Sequence, residues 1–307
     1  MKKLNKGSFE KAKNWIKENG RPLEKARLEF TFGDADVEKV IDALKTFQNK
    51  DGGFGNAMEP DLRTPISSIL GTSLAFQVLR SLKNEDVDLN IAESAIQFIL
   101  KNYIEADQSW RIISKEAEDS PHAPWWNQTN REDNFQGFHL NPTAEILGYL
   151  YDYKDSVPSE SISSLSFKVL TELKNLKEIE MHDFLCCKRL FESKNLVDDF
   201  KKEIESELTR LLDSCVVRDS SKWSGYGLRP LQVADSSDSV FFNKLQKSVD
   251  ENLDYEIDTQ DNSGVWLPTW SWEGNFQSEW EKAKNEWIGI ITFDKLTLLK
   301  TFGRIDN

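Results

Sequence analysis

Cysteine, histidine and methionine are scarce in this 307-residue chain, with three of each. The cysteines, Cys186, Cys187 and Cys215, are odd in number and lack framework spacing. That predicts no disulfides and a reducing, cytoplasmic compartment. Basic charge is in deficit: 39 Lys and Arg stand against 52 Asp and Glu, a formal charge of −13. A nucleic-acid partner is not expected, because phosphate binding needs clustered Lys and Arg. No run of 18 apolar residues occurs, so no transmembrane helix is expected. Met1–Gly7 is basic, but Ser8–Asn19 is amphipathic and charged rather than the apolar stretch of a signal peptide. Alternating strand runs joined by hairpin turns are missing. Gly52-Gly-Phe-Gly opens neither a Walker nor a Rossmann unit.

Aromatic residues are plentiful. Ten Trp and 18 Phe are many for an acidic chain, and disordered chains are poor in them. The length suits a single large domain spanning residues 1–307. Helical periodicity runs through it. Ala92, Ala95, Ile96, Ile99, Leu100 and Tyr103 line one helical face, as do Ile204, Leu208, Leu211 and Leu212. Amphipathic helices are predicted at 8–19, 36–48, 89–103, 158–175, 196–216 and 239–259. Between them lie segments that are apolar or small nearly all round, such as Ile66–Leu82, Thr143–Tyr153 and Trp287–Phe302. Helices of that kind are buried on most sides. They are placed at 22–32, 66–82, 142–154, 180–193, 228–235 and 284–302, where Pro230 restricts the fifth to a short element. Six outer helices therefore alternate with six inner ones in an all-α fold.

An internal repeat accompanies this alternation. Gln48-Asn-Lys-Asp-Gly52-Gly-Phe54 follows the second outer helix, and Gln260-Asp-Asn-Ser-Gly264-Val-Trp266 follows the last. A worn copy lies at Gln108-Ser-Trp110. Gly ends the helix in a positive-φ turn and the aromatic packs beneath it, which makes the motif structural. This element resembles the repeat of squalene and terpenoid cyclases and of protein prenyltransferase β-subunits. The resemblance implies an (α/α)6 toroid of alternating outer and inner helices. The chain also resembles single-domain bacterial proteins of that superfamily, through Gly52-Gly-Phe-Gly, Glu59-Pro-Asp-Leu-Arg-Thr-Pro65, Pro121-His-Ala-Pro-Trp-Trp126, Trp287-Ile-Gly and Phe302-Gly-Arg-Ile305. That subgroup carries no assigned reaction, so the fold follows from the likeness more directly than the function.

Two family signatures are incomplete. The Asp-x-Asp-Asp acid of the cyclases has only Asp34-Ala-Asp36-Val37 to match it, at the start of an outer helix where Asp is an ordinary cap. The zinc-binding Asp-x-Cys of the prenyltransferases has Asp213-Ser-Cys215, with no His after position 182. No metal and no cofactor are therefore expected.

Candidate chemistry gathers in the segments that feed inner helices: 58–65, 122–143, 181–183, 223–229 and 266–287. In a toroid these converge on one mouth of the ring. Glu59, Asp61 and Arg63 precede a buried helix, as helix caps or as an acid tuned by burial and by Arg63. His122, Trp125 and Trp126 open a polar loop that ends at His139, Asn141 and Pro142, with Asn141 as the expected N-cap. His182 and Asp183 open an apolar helix, and His182 shares a face with Cys186. Trp266, Trp270, Trp272, Trp280 and Trp287 fall within 22 residues, and Tyr226 sits in a Gly-flanked turn.

The expected catalytic set is Asp61, Glu59, His122, His182 and Asp183. The expected substrate-binding set is Arg63, Trp125, Trp126, His139, Tyr226, Trp270 and Trp272. Aromatic faces stabilise a carbocation once a carboxylic acid protonates an alkene, which suits a small hydrophobic isoprenoid ligand. They also stack on sugars, and paired carboxylates cleave glycosidic bonds. The expected function is thus a terpenoid-cyclase-like or prenyl-ligand enzyme. A carbohydrate-active (α/α)6 enzyme and a non-catalytic ligand-binding ring are the alternatives.

Overall fold

Twelve α-helices account for the regular structure of the computed structural model, which describes residues 1–82 and 89–306. They are α1 (Lys6–Asn19), α2 (Pro22–Phe32), α3 (Val37–Lys45), α4 (Ile69–Ser81), α5 (Leu89–Lys101), α6 (Leu140–Asp152), α7 (Ser159–Asn175), α8 (Met181–Phe191), α9 (Asp198–Cys215), α10 (Pro230–Val233), α11 (Phe242–Asp258) and α12 (Gln277–Thr301). Each corresponds to one expected helix, and only isolated β-bridges occur among the described residues. The fold is all-α.

Several boundaries differ from expectation, among them three with a visible cause. α4 begins at Ile69 rather than 66, because Ser68 is extended and its hydroxyl caps the Gly71 N–H at 2.9 Å. Asn141 does not cap α6 with its side chain. It is a non-helical residue before a cis bond to Pro142, and its amide oxygen faces the Cys186 thiol instead. α12 starts at Gln277, not 284. The polar stretch read as loop is helical there because it pairs along its own face, Gln277 with Glu281 and Lys282 with Glu279.

The chain divides into two compact units, one formed by Met1–Ala43 with Val216–Asn307 and one by Leu44–Cys215. In the second unit, α4, α6 and α8 run in the same direction. Phe76 stacks on Tyr149 and Arg80 pairs with Asp152 further along both helices. Cys186 lies beside Asn141, Ser193 donates to the Gly148 carbonyl, and the Lys194 N–H reaches Asp152. The segments that lead into these three helices therefore share one end of the layer. α6 is buried from Pro142 to Leu150, whereas the amphipathic α9 buries only Ile204, Leu208, Leu211 and Leu212. In the first unit, α2 runs with α12, through Arg27–Asp294 and Lys300 to the Thr31 carbonyl. α1 runs against α12: Asn285 meets Asn19, and Trp15 lies beside Gly289.

The repeated turn has one geometry in both units. Gln48 Nε2 donates to the Gly52 carbonyl at 2.9 Å and to the Ile91 carbonyl of α5 at 3.0 Å. Gln260 Nε2 donates to the Gly264 carbonyl at 2.7 Å and to the Ser8 carbonyl of α1 at 3.3 Å. Gly52 and Gly264 have φ of 88° and 89°. A Cβ on Gly52 would meet Ser94, and one on Gly264 would meet Lys11, in each case three residues beyond the carbonyl that the glutamine reaches. Phe54 and Trp266 are buried beneath, and their N–H groups donate to Thr72 of α4 and Thr292 of α12. The worn copy keeps part of this: Ser109 bonds Thr143 of α6, and Trp110 is buried with its indole N–H on the Ile99 carbonyl.

Candidate functional site

Asp61 lies in the loop between the first repeated turn and α4. Gly55 begins that loop so close to Pro65 and Ile66 that a Cβ would clash with both carbonyls. Further along, the Arg63 N–H donates to Pro121 and the Ala123 N–H donates to the Asp61 carbonyl, both at 2.9 Å, so Leu62 and His122 form an antiparallel bridge. Two expected site segments, 60 residues apart in sequence, are thereby fastened together. Asp61 is 2% exposed and His122 is 4% exposed. Leu62 packs with Ile113, Ala117 and Phe135, and Trp126 lies against this cluster. Glu59 and Arg63 are half-buried beside it, and Trp125 is exposed.

His122 is held at both ring nitrogens. Nδ1 donates to the Ser120 carbonyl at 2.6 Å, and Nε2 lies 2.7 Å from the Asn127 side-chain amide. The rest of the polar loop is built rather than loose. Glu118 accepts from the Gln128 and Thr129 N–H groups, which hold its carboxyl below the ordinary glutamate range while slight burial opposes them. Arg111 and the Ser114 carbonyl hold the Gln128 side chain.

A second constellation forms at the same end of the layer. Asp183 accepts the Asn141 N–H at 2.9 Å. Burial raises the Asp183 carboxyl above its ordinary value, the Asn141 bond opposes this, nearby Glu180 adds to it, and His139 and His182 oppose it. Two of the three histidines of the chain thus stand near one carboxylate. Both are exposed, and the His139 ring bonds the Gln136 carbonyl.

One turn deeper lies a network absent from the expectations. Glu145 of α6 is 3% exposed. It accepts from Gln77 at 2.8 Å, from Arg189 at 3.0 Å and from the Tyr149 hydroxyl, with the Cys186 thiol at 3.5 Å. Burial, then the Glu145 charge, push the Tyr149 phenol and the Cys186 thiol well above their ordinary ranges. The sequence signal was a single charged residue inside the apolar Pro142–Tyr151 stretch. Every acceptor position of this carboxylate is used, so the network braces α4, α6 and α8.

The remaining expected residues belong to the other unit. Trp270 meets Trp287 edge-on at 5.2 Å. Trp272 is wholly buried against Trp280, so its ring packs the interior and offers no face to a ligand. Tyr226 is 76% exposed on its turn. At the other end of α9, burial pushes the Cys215 thiol up to about 12, which disfavours the thiolate that a metal needs. No group of three or more metal-ligating side chains occurs among the described residues, and no helix there is long and apolar enough to cross a membrane.

No protein-family model, curated protein or solved structure matches this chain. The chemistry on hand is therefore that of the residues themselves: a buried aspartate, Asp61, next in sequence to a member of an apolar cluster, and an aspartate near two exposed imidazoles, at one end of three parallel helices.

Proposed function

We propose that the twelve helices close into an (α/α)6 toroid and that the protein is a terpenoid-cyclase-like enzyme acting on an isoprenoid ligand. Support for the ring comes from the repeated turn. The turn after α11 addresses α1 just as the turn after α3 addresses α5, and α1 is the outer helix that would follow α11 around a ring. The observation that carries the chemistry is the near-complete burial of Asp61 in a loop whose next residue packs into an apolar cluster. Burial of an acid works toward its protonated form while Arg63, two residues on, works against it, and a protonated carboxyl here would start a reaction by protonating an alkene. Aromatic faces stabilise the cation that follows.

One observation favours a carbohydrate ligand instead. Asp183 lies near a second carboxylate, Glu180, and near His139 and His182 at an accessible, polar end of the helix layer, and paired carboxylates are what glycosidic cleavage uses.

One experiment tests both. Wild type and Asp61→Asn are incubated with linear prenyl alcohols, prenyl diphosphates and a panel of oligosaccharides. The isoprenoid reading expects prenyl turnover by wild type, none by the variant, and nearly equal melting temperatures. Unchanged prenyl turnover in the variant removes Asp61 from the mechanism. Turnover of an oligosaccharide alone transfers the assignment to the second reading.

A further inference from the structure

Glu256 of α11 is shared by two cations. It accepts from Arg229 Nη1 at 3.0 Å, from Asn252 Nδ2 at 3.2 Å and from Lys295 Nζ of α12. Beyond Glu256, Arg229 and Lys295 meet only aromatic faces, Tyr255 at 5.6 Å and Trp266 at 5.9 Å. No second carboxylate pairs with either cation among the described residues. The cluster therefore sets two basic side chains against one carboxylate, with the Arg229 and Lys295 side chains 18% and 16% exposed. Burial, and then the Arg229 guanidinium, push the Lys295 ammonium well below the ordinary lysine range.

The repeat shows that packing does not call for these charges. Glu256 stands four residues before Gln260, where the first copy has Leu44 four before Gln48. Lys295 stands three residues after Thr292, where the first copy has Ala75 three after Thr72. Leu44 and Ala75 are fully buried, so the same turn is built from apolar side chains in the other unit. The start of α10 differs in a related way. Arg229-Pro230-Leu231 repeats the Arg21-Pro22-Leu23 that opens α2, yet Arg21 pairs with Glu24 of its own helix while Arg229 reaches across to α11. Placing two partly buried basic groups beside one carboxylate where Leu and Ala suffice is unfavourable unless a further partner satisfies them.

We propose that Arg229 and Lys295 form a binding site for a small oxyanion of the phosphate class, with Glu256 spacing the two cations and Tyr255 and Trp266 walling them. Glu256 takes only Nη1 of the guanidinium. Nε and Nη2 have no acceptor among the described residues and are not sealed from solvent, which leaves a donor pair of the geometry that binds phosphate oxygens. This inference stands independently of the role proposed for Asp61.

The test is calorimetric titration of the full chain with inorganic phosphate and with phenyl phosphate, at ionic strength held constant with chloride. Wild type is expected to bind phosphate saturably at one site. Lys295→Met and Arg229→Gln are each expected to weaken binding by about tenfold or more, while Lys295→Arg, which keeps the charge, retains it. Binding of phenyl phosphate as well as inorganic phosphate supports the site and points to a phosphorylated small molecule, whereas inorganic phosphate alone supports it as a site for the free ion. Absence of saturable phosphate binding by wild type overturns the proposal, even if a variant fails to fold. Equal binding by wild type and the folded Lys295→Met protein also overturns it.

Discussion

The buried Arg304 guanidinium donates to the Asp254 carboxylate at 2.7 Å, and it also reaches Asp250 and the Lys2 carbonyl. Beside it, Leu4 and Ile305 form a parallel bridge. The segment before α1 and the segment after α12 are thus pinned to α11. Burial works to raise the Asp254 carboxyl, but the Arg304 bond, the Lys2 N–H and the local positive charge outweigh it, and the net shift is downward. A lowered folded value contributes stability that is present above the unfolded value and lost as pH falls through the folded one. Arg304→Met should therefore lower stability by about 2 kcal/mol at neutral pH, less than the ~3–5 kcal/mol for breaking a fully buried pair, because Asp254 is partly exposed. The loss should shrink toward acid pH. Melting curves of both proteins across pH 3–7, roughly the range over which a carboxylate titrates, check the sign.

Gln48 and Gln260 each supply two hydrogen bonds, which tie one turn to α5 and the other to α1. Replacing either by Ala should cost about 1–2 kcal/mol in urea unfolding. Gly52→Ala should cost more. It sets a side chain at φ 88° with its Cβ against the Ser94 carbonyl.

Removal of Glu145 strands several donors at once. Glu145→Ala should destabilise by roughly 3 kcal/mol, because Arg189 loses its carboxylate, Gln77 loses its acceptor and Tyr149 keeps only the Ser73 carbonyl. Tyr149→Phe removes one donor only and should cost about 1 kcal/mol. Chemical denaturation of the two variants tests the ratio.

Asp183 carries the opposite pH signature to Asp254. Its folded value is raised, so its contribution is fully present below the unfolded value and is lost as pH rises through the folded one. Asp183→Asn keeps an acceptor for the Asn141 N–H and removes the buried charge. The variant should gain in melting temperature relative to wild type on going from about pH 4 to pH 7, the span in which an aspartate ordinarily loses its proton. A difference independent of pH would place the carboxylate in solvent.

Much of the architecture was legible because its signals are local. Apolar spacing in α9 and α11 and the near-continuous apolar run of α6 locate those helices without tertiary information. The Gln–Gly–aromatic turns were legible for the same reason. The start of α12 was missed because Gln277–Lys284 is mostly charged or polar, and its two buried residues, Trp280 and Ala283, are too few to separate loop from helix by periodicity. The candidate site was legible in its residue types but not in its pairings. Nothing in the sequence ties Asp61 to Ala123, or Asp183 to Asn141, since each bond involves a backbone N–H and is set by how distant segments meet. Trp272 was read as a ligand platform because it lies in a polar stretch, yet it is buried against Trp280. The triad around Glu256 becomes visible only when the two copies of the turn are superposed residue by residue.

The account turns on the state of one carboxyl. Infrared difference spectra of wild type against Asp61→Asn at neutral pH, in light and heavy water, report directly whether Asp61 carries a proton. The account predicts a protonated-carboxyl stretch that shifts in heavy water and disappears in the variant. Carboxylate bands alone at that position would contradict it, and Asp61 would then be a helix-flanking anion rather than the acid that begins the reaction.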